Sequence, residues 1–162
     1  MRILPPHPGP RLIVNVDGAA RGNPGPAGIG VSVADEDGHV VAELGAGIGH
    51  ATNNQAEYRA ALAGLALAAE HGASKVLLRS DSRLLVEQLS GRFRVKDPTL
   101  RRLHEEARGL MAMFEDVSIE HVPREQNADA DRMANVGIDE WLDTEEGRAY
   151  RRPGPPPTLF EG

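Results

Sequence analysis

No cysteine occurs among the 162 residues of the chain. The protein therefore has no disulfide framework, no thiolate metal site and no cysteine nucleophile, and its composition suits a reducing compartment. The chain also lacks an apolar run of the roughly 20 residues that a membrane-spanning helix needs, and its first residues do not resemble a signal peptide. We therefore expect a cytoplasmic protein.

An excess of basic residues is missing as well. The formal net charge is −6, which argues against nonspecific binding of nucleic acid through bulk positive charge. It does not argue against a nucleic-acid enzyme whose acidic residues hold metal ions. Motifs of other enzyme classes are also missing, because the Gly-rich segment 22–28 is not followed by Lys-Ser or Lys-Thr, and no HExxH helix or Ser-centred elbow occurs.

The order of the predicted elements indicates an α/β fold. An apolar, β-branched run from Leu12 to Val16 predicts a strand that ends at Asp17, and two further strands follow it in an antiparallel meander. Helical periodicity and short apolar strands then alternate along the chain. The complete order is β-β-β-α-β-α-α-β-α, which predicts a mixed five-stranded sheet flanked by helices.

Three regions are expected along the chain. Residues 1–10 are rich in proline and are predicted to form a flexible lead. Residues 11–142 have the length of one domain with a single hydrophobic core. Residues 143–162 are predicted to form a Pro-rich tail or linker, because the sequence at 153–157 favours an extended polyproline conformation.

Capping residues mark the starts of two helices. Asp97 followed by Pro98 predicts an N-cap with proline at the first helical position. Asn53 or Asn54 is expected to cap the first helix, which would place Glu57 in its first turn, where an acid complements the helix dipole.

Two neighbouring acids begin the last helix, which is expected from about residue 128 to residue 142. The apolar stripe of this helix marks the side that packs on the sheet. Two positions along a helix correspond to roughly 200° around its axis. We therefore predict that Asp131 borders the stripe near the core, whereas Asp129 lies beyond the opposite border.

Four acids occupy comparable places in these elements. Asp17 and Asp81 each end an apolar strand, and adjacent parallel strands would bring both to the C-terminal edge of the sheet, where α/β sites form. Glu57 and Asp131 lie near the starts of two helices. Converging carboxylates raise one another's pKa or recruit cations, and hard oxygen ligands suit Mg²⁺ or Mn²⁺. Each acid alone is equally explained as a cap or a solvated surface group.

Four strings of residues resemble a known family. They are Val-Asp-Gly-Ala-Ala-Arg-Gly-Asn-Pro-Gly-Pro-Ala-Gly (16–28), Ala-Thr-Asn-Asn-Gln-Ala-Glu-Tyr (51–58), Ser-Asp-Ser (80–82) and Asn-Ala-Asp-Ala-Asp-Arg-Met-Ala-Asn (127–135). In this order they are similar to type 1 ribonuclease H, from about residue 11 to residue 140. The resemblance is strongest to compact bacterial domains that precede an acid-phosphatase domain.

The resemblance implies a ribonuclease H-like fold and a metal-dependent endoribonuclease. Such an enzyme hydrolyses the RNA strand of RNA–DNA hybrids and leaves 5′-phosphate and 3′-hydroxyl ends. The resemblance also implies two Mg²⁺ ions, with Mn²⁺ as a possible substitute. The residues that match the metal-binding carboxylates of the family are Asp17, Glu57, Asp81 and Asp131.

Substrate-binding residues are implied by the same resemblance. Asn23, Asn53 and Asn54 match residues that contact 2′-hydroxyls of the RNA strand. Amides suit this role because they both donate and accept hydrogen bonds, although local turn bonding and helix capping explain such amides too. Thr52 matches a residue that holds a phosphate of the DNA strand, and Arg83 takes a substrate-contacting position that glutamine often holds.

Two features of the family are missing from the sequence. Residues 123–127 form a short loop without the mobile histidine of many relatives. His121 lies upstream in a strand and does not fit that role, whereas Arg124 is a candidate electrostatic substitute. The Lys-rich helical protrusion of some relatives is also missing, and only a short basic bridge at residues 92–96 takes its place. Weaker substrate affinity is therefore expected.

Three other interpretations stay open at this point. The chain could be a non-catalytic module that binds hybrid or RNA, another metal-dependent nuclease of the same superfamily, or a structural domain in a larger phosphatase-containing protein. Metal-binding acids argue against the first, and amides that suit 2′-hydroxyls argue against the second. We expect a monomer that binds RNA–DNA hybrid and no membrane.

Overall fold

The structure, a computed structural model, describes residues 9–151. The expected lead and Pro-rich tail therefore lie largely outside the described residues. The elements, in chain order, are β1 (Arg11–Ala20), β2 (Gly25–Ala34), β3 (Val40–Ala51), α1 (Asn53–Glu70), β4 (Lys75–Ser80), α2 (Arg83–Leu89), α3 (Pro98–Met111), β5 (Asp116–His121), a 3₁₀ turn (Arg124–Asn127), α4 (Ala128–Leu142) and α5 (Glu145–Arg151). The predicted order is confirmed as far as α4.

The five strands form one mixed sheet in the order β3-β2-β1-β4-β5. The β1–β2 and β2–β3 pairs are antiparallel, and the β1–β4 and β4–β5 pairs are parallel. The predicted mixed five-stranded sheet is therefore confirmed. The central parallel pair is β1 and β4, and their pairing ends shortly before Asp17 and Asp81, so these two acids lie at one edge of the sheet.

Helices cover both faces of the sheet. Alternate residues of β1, such as Val14 and Val16, are fully buried and lie beneath α1, which approaches them closely at Gly64. On the opposite face α4 packs on β2 and β3. A Cβ at Gly30 would overlap the backbone carbonyl of Ala130, so glycine is required for α4 to lie this close to the sheet.

The first strand is longer than its apolar run suggests. The parallel β1–β4 pairing ends at Asn15 and Arg79, but the antiparallel β1–β2 pairing continues to Ala20. The prediction that Asp17 ends the strand is therefore wrong, because the hairpin partner extends β1 past the last residue paired with β4. Asp17 and Asp81 each lie two residues beyond that last pair, so they occupy equivalent positions.

The start of α1 also differs from the prediction. Thr52, not Asn53 or Asn54, is the N-cap, and its hydroxyl accepts the backbone N–H of Gln55 at 3.1 Å while the Gln55 side chain accepts the N–H of Thr52 at 3.0 Å. This capping box moves the helix start so that Glu57 lies past the first turn. The predicted cap of α3 by Asp97, with Pro98 behind it, is confirmed.

A short helix that the sequence analysis did not predict follows α4. In α5 the ring of Tyr150 lies 6.0 Å from that of Trp141 and 5.6 Å from that of His50, measured between centroids. The first part of the expected tail is thus helical. Across residues 9–151, no helix combines the length and the apolar character that crossing a membrane requires.

Candidate active site

Three carboxylates converge where the parallel strands end. Ligand oxygens of Asp17, Glu57 and Asp81 all lie within 4.8 Å of one another. Asp131 joins them as a further lining residue of an open cavity of about 550 Å³. The structure therefore brings together all four acids that the sequence predicted for the site.

Close backbone contact between β1 and α1 positions Glu57. A Cβ at Gly18 would overlap the backbone of Ala56, so only glycine lets the helix approach the strand this closely. The backbone N–H of Gly18 donates a hydrogen bond of 2.9 Å to Glu57 Oε1. The residue after Asp17 therefore fixes the Glu57 carboxylate beside the Asp17 carboxylate.

The two acids in the first turn of α4, Asp129 and Asp131, point in different directions. Asp131 lines the cavity, and its side chain is 34% exposed, with the Arg124 guanidinium 3.9 Å from Oδ1. Asp129 is 61% exposed and lies 3.7 Å from the guanidinium of Arg132. The predicted register of the last helix is therefore confirmed, because only Asp131 faces the strand-end acids.

Burial and mutual repulsion perturb the ionisation of the site. Burial, followed by the negative charges of Asp81 and Asp131 and a carboxyl–carboxyl hydrogen bond with Asp131, raises the pKa of Asp17 from 3.8 to about 8, against the lowering effect of Arg124. Burial and the charge of Asp17 raise the pKa of Glu57 well above its ordinary value, and the N–H of Gly18 opposes this shift. The cluster therefore favours bound protons or bound cations.

The donor chemistry of the cluster fits a hard divalent cation. All candidate ligand atoms are carboxylate oxygens, and they lie close enough to share one ion or a pair of ions. A cation would neutralise the repulsion that raises the pKa of Asp17. The residues present therefore fit Mg²⁺ or Mn²⁺.

The three predicted amide residues, Asn23, Asn53 and Asn54, lie beside the acids and are called the amide rim below. Asn53 and Asn54 line the cavity. The backbone N–H of Asn53 donates to Asn23 Oδ1 at 3.0 Å, and the backbone N–H of Ala20 donates to Asn53 Oδ1 at 2.9 Å. The side-chain carbonyl oxygens of Asn23 and Asn53 therefore already accept hydrogen bonds from the protein backbone.

Thr52 and Arg83 are not among the described residues that line the cavity. Thr52 is the N-cap of α1, and Arg83 is an exposed residue at the start of α2, after Asp81. His121 and Arg124, which the sequence left with uncertain roles, both line the cavity. Among the described residues that line the cavity, these two are the basic ones.

One buried residue beside the site was missed by the sequence analysis. Asn127 is 1% exposed and forms side-chain hydrogen bonds with β1 residues more than 110 positions away. The sequence placed it in a loop and at the start of the string 127–135 that resembles ribonuclease H. Neither signal identifies hydrogen-bond partners so distant in the chain.

The sequence is similar to known proteins over most of its length. It matches the protein family described as "Reverse transcriptase-like" over residues 15–137. It is 48% identical over 138 residues to a ribonuclease HI of Halobacterium salinarum, and the match covers 85% of this chain and 69% of that protein. The crystal structure of RNase H1 from this archaeon aligns with a TM-score of 0.79 at 49% identity, covering 80% of this chain and 98% of that chain.

Two further proteins are similar. A bifunctional protein of Mycobacterium tuberculosis is 46% identical over 130 residues, which are 80% of this chain but only 36% of that protein. The structure of its N-terminal RNase H domain aligns with a TM-score of 0.78 and 94% of that chain covered. LC11-RNase H1, isolated from compost and solved in complex with RNA/DNA hybrid, is 40% identical with a TM-score of 0.78, covering 82% and 99% of the two chains.

Proposed function

The chain belongs to the type 1 ribonuclease H family, and we propose that it is an endoribonuclease that hydrolyses the RNA strand of RNA–DNA hybrids. One observation carries this proposal: the acidic side chains of Asp17, Glu57, Asp81 and Asp131 converge on a single open cavity. A relative that was solved with an RNA/DNA hybrid supports the choice of substrate.

The four acids are proposed to hold two divalent metal ions. The all-oxygen donor set supports Mg²⁺, with Mn²⁺ as a substitute. Two such ions would stabilise negative charge on the attacking and leaving oxygens of a phosphodiester displacement, leaving 5′-phosphate and 3′-hydroxyl ends. The protein's part is to hold the carboxylates in place, as the Gly18 N–H does for Glu57.

The amide rim is proposed to select the RNA strand. Because the carbonyl oxygens of Asn23 and Asn53 accept backbone N–H groups, their NH₂ groups remain to donate hydrogen bonds outward. An RNA 2′-oxygen accepts such a bond, and a DNA sugar has no equivalent acceptor. Asn54, exposed in the cavity wall, is proposed to act in the same way.

Two residues beside the rim are proposed to bind the phosphate backbone. The Thr52 hydroxyl accepts the Gln55 N–H, which leaves its own proton free to donate to a phosphate oxygen of the DNA strand. Arg83 is exposed one residue after the N-cap of α2, where its charge can meet a substrate phosphate.

The wider setting of the domain is also a proposal. The bifunctional relative carries its RNase H domain at the N-terminus, which supports the interpretation that domains of this kind are joined to a second catalytic unit. A phosphatase-type partner domain, a monomeric state and a cytoplasmic location remain predictions.

A cleavage assay with matched duplexes tests the proposed function. Purified protein is incubated with end-labelled RNA–DNA, RNA–RNA and DNA–DNA duplexes of one sequence, in Mg²⁺, in Mn²⁺ or in EDTA. We expect cleavage of only the RNA strand of the hybrid, and only with metal, and no cleavage by the Asp81→Asn variant. Binding of hybrid without cleavage would favour a binding module, and cleavage of the DNA duplex would favour another nuclease of the superfamily.

A further inference from the structure

We propose that Asn127 is a positioning residue that holds Asp131 against Asp17 and so sets the geometry of the metal-binding acids; the inference rests on the proposed function. The Asn127 side chain is 1% exposed, among the most buried polar groups of the described chain. It stands at the N-cap position of α4 but forms no capping hydrogen bond with the helix. Its side-chain amide therefore does not cap the start of α4.

The amide of Asn127 connects α4 to β1 through both of its ends. Nδ2 donates a hydrogen bond of 2.9 Å to the backbone carbonyl of Val16, and Oδ1 accepts one of 3.1 Å from Asn15 Nδ2. Val16 directly precedes Asp17, and Asn127 lies one helical turn before Asp131. One hydrogen bond therefore links the backbone next to Asp17 to the start of the helix that carries Asp131, and the other links that helix start to the Asn15 side chain.

The position of this link explains why it is needed. Pairing between β1 and β4 ends at Asn15 and Arg79, so the segment of β1 that carries Asp17 has no strand neighbour on that side. The buried amide of Asn127 takes the place of that neighbour. The other polar contacts of α4 with the sheet region, Arg132 with Glu43 and Arg21 with Asp139, lie at the surface, whereas the Asn127 amide is buried beside the acids.

The orientation of the first turn of α4 decides where Asp131 lies in the cavity that it shares with Asp17. Apolar contacts do not fix the orientation of α4, whereas a buried amide whose nitrogen and oxygen are both hydrogen-bonded does. Residues that support metal ligands in this way typically change metal affinity or activity by about 10–100-fold when they are replaced.

The experiment compares Asn127→Ala with a control on the same helix, Ile138→Val. Ile138 is fully buried and lies three turns away, so its truncation loosens α4 without touching the link. Binding of Mn²⁺ alone to metal-free protein is measured by titration calorimetry, and kcat and KM are measured on hybrid. For Asn127→Ala we expect an Mn²⁺ dissociation constant about tenfold higher and a kcat about 10–100-fold lower, with KM little changed because the amide rim is intact.

Ile138→Val should leave both the Mn²⁺ affinity and kcat near those of the parent. Asn15→Ala removes the hydrogen bonds from Asn15 to Asn127 Oδ1 and to the Gln126 carbonyl but keeps the bond from Asn127 to Val16. It should give a smaller loss of Mn²⁺ affinity, and it tests the proposal if Asn127→Ala does not fold. Unchanged Mn²⁺ affinity in a folded Asn127 or Asn15 variant would overturn the proposal. If the parent binds Mn²⁺ but cleaves no hybrid, the proposed function fails, while the calorimetric comparison still tests Asn127.

Discussion

Replacement of Asp17 by asparagine should stabilise the metal-free protein. The Asp17 side chain is 5% exposed, and burial together with the charges of Asp81 and Asp131 raises its pKa to about 8. Ionising it in the folded state is therefore unfavourable. Asparagine keeps the shape of the side chain but carries no charge, so the variant does not bear this cost.

The sign and size of the effect follow from the two pKa values. The pKa of Asp17 in the folded protein lies above its ordinary value of 3.8. Asp17 therefore contributes its full share to the free energy of unfolding of the parent below pH 4, and this share is lost as the pH rises towards 8. At pH 7 the unfolded chain is ionised and the folded site still binds a proton. Roughly 3 pH units at about 1.4 kcal/mol each give a cost of about 4 kcal/mol at pH 7.

Thermal and urea unfolding in EDTA measure this cost. We expect Asp17→Asn to match the parent near pH 4 and to exceed it increasingly up to pH 8, by about 4 kcal/mol at pH 7, which corresponds to roughly 10 °C in Tm. Asp129→Asn is the matched control, because the Asp129 side chain is 61% exposed and is not among the described residues that line the cavity. Saturating Mg²⁺ should stabilise the parent more than the variant. A parent that equals or exceeds Asp17→Asn in stability at pH 8 in EDTA would refute the reasoning.

Three further predictions concern the site and its support. Asp131→Asn should lose most metal-dependent hybrid cleavage in a gel assay, whereas Asp129→Asn should lose little, since only Asp131 lines the cavity; the reverse result would contradict the register of α4. Asn54→Ala should weaken hybrid cleavage without changing Mn²⁺ binding, and a single deoxynucleotide beside the scissile bond should block cleavage there; efficient cutting at that nucleotide would argue against recognition of the 2′-hydroxyl. Gly30→Ala should lower stability by about 1–3 kcal/mol in urea unfolding through overlap with Ala130, and an unchanged midpoint would show that α4 can shift freely.

The elements that the sequence predicted well are those with local causes. The start of α3 at Asp97 and Pro98 depends on one capping side chain and one fixed φ, both visible in the sequence. The start of α1 was misplaced because neighbouring polar residues compete for the cap. Thr52 takes it through a reciprocal bond with Gln55, and the pattern Thr-Asn-Asn-Gln contains this capping box.

The carboxylates could be predicted, but the residues that hold them could not. Acids that follow apolar strands are visible in the sequence, and adjacency of parallel strands brings them together. The support of Asn127 depends on its distance from Val16 in space, which follows from the crossing of α4 over the sheet. Likewise, the extension of β1 beyond Asp17 depends on pairing with β2, and no property of β1 alone specifies it.

The same packing that makes the site possible also makes it dependent on cations. Gly18 allows α1 to bring Glu57 beside Asp17, and Gly30 allows α4 to bring Asp131 within reach. Arg124 opposes the resulting repulsion, but its side chain is 79% exposed and lies 3.9 Å from Asp131, so solvent screens much of its effect. Divalent ions bound by the cluster would compensate the charge directly. An ion that binds only the folded acids would therefore also stabilise the packing that brings them together, which would link metal binding to folding stability.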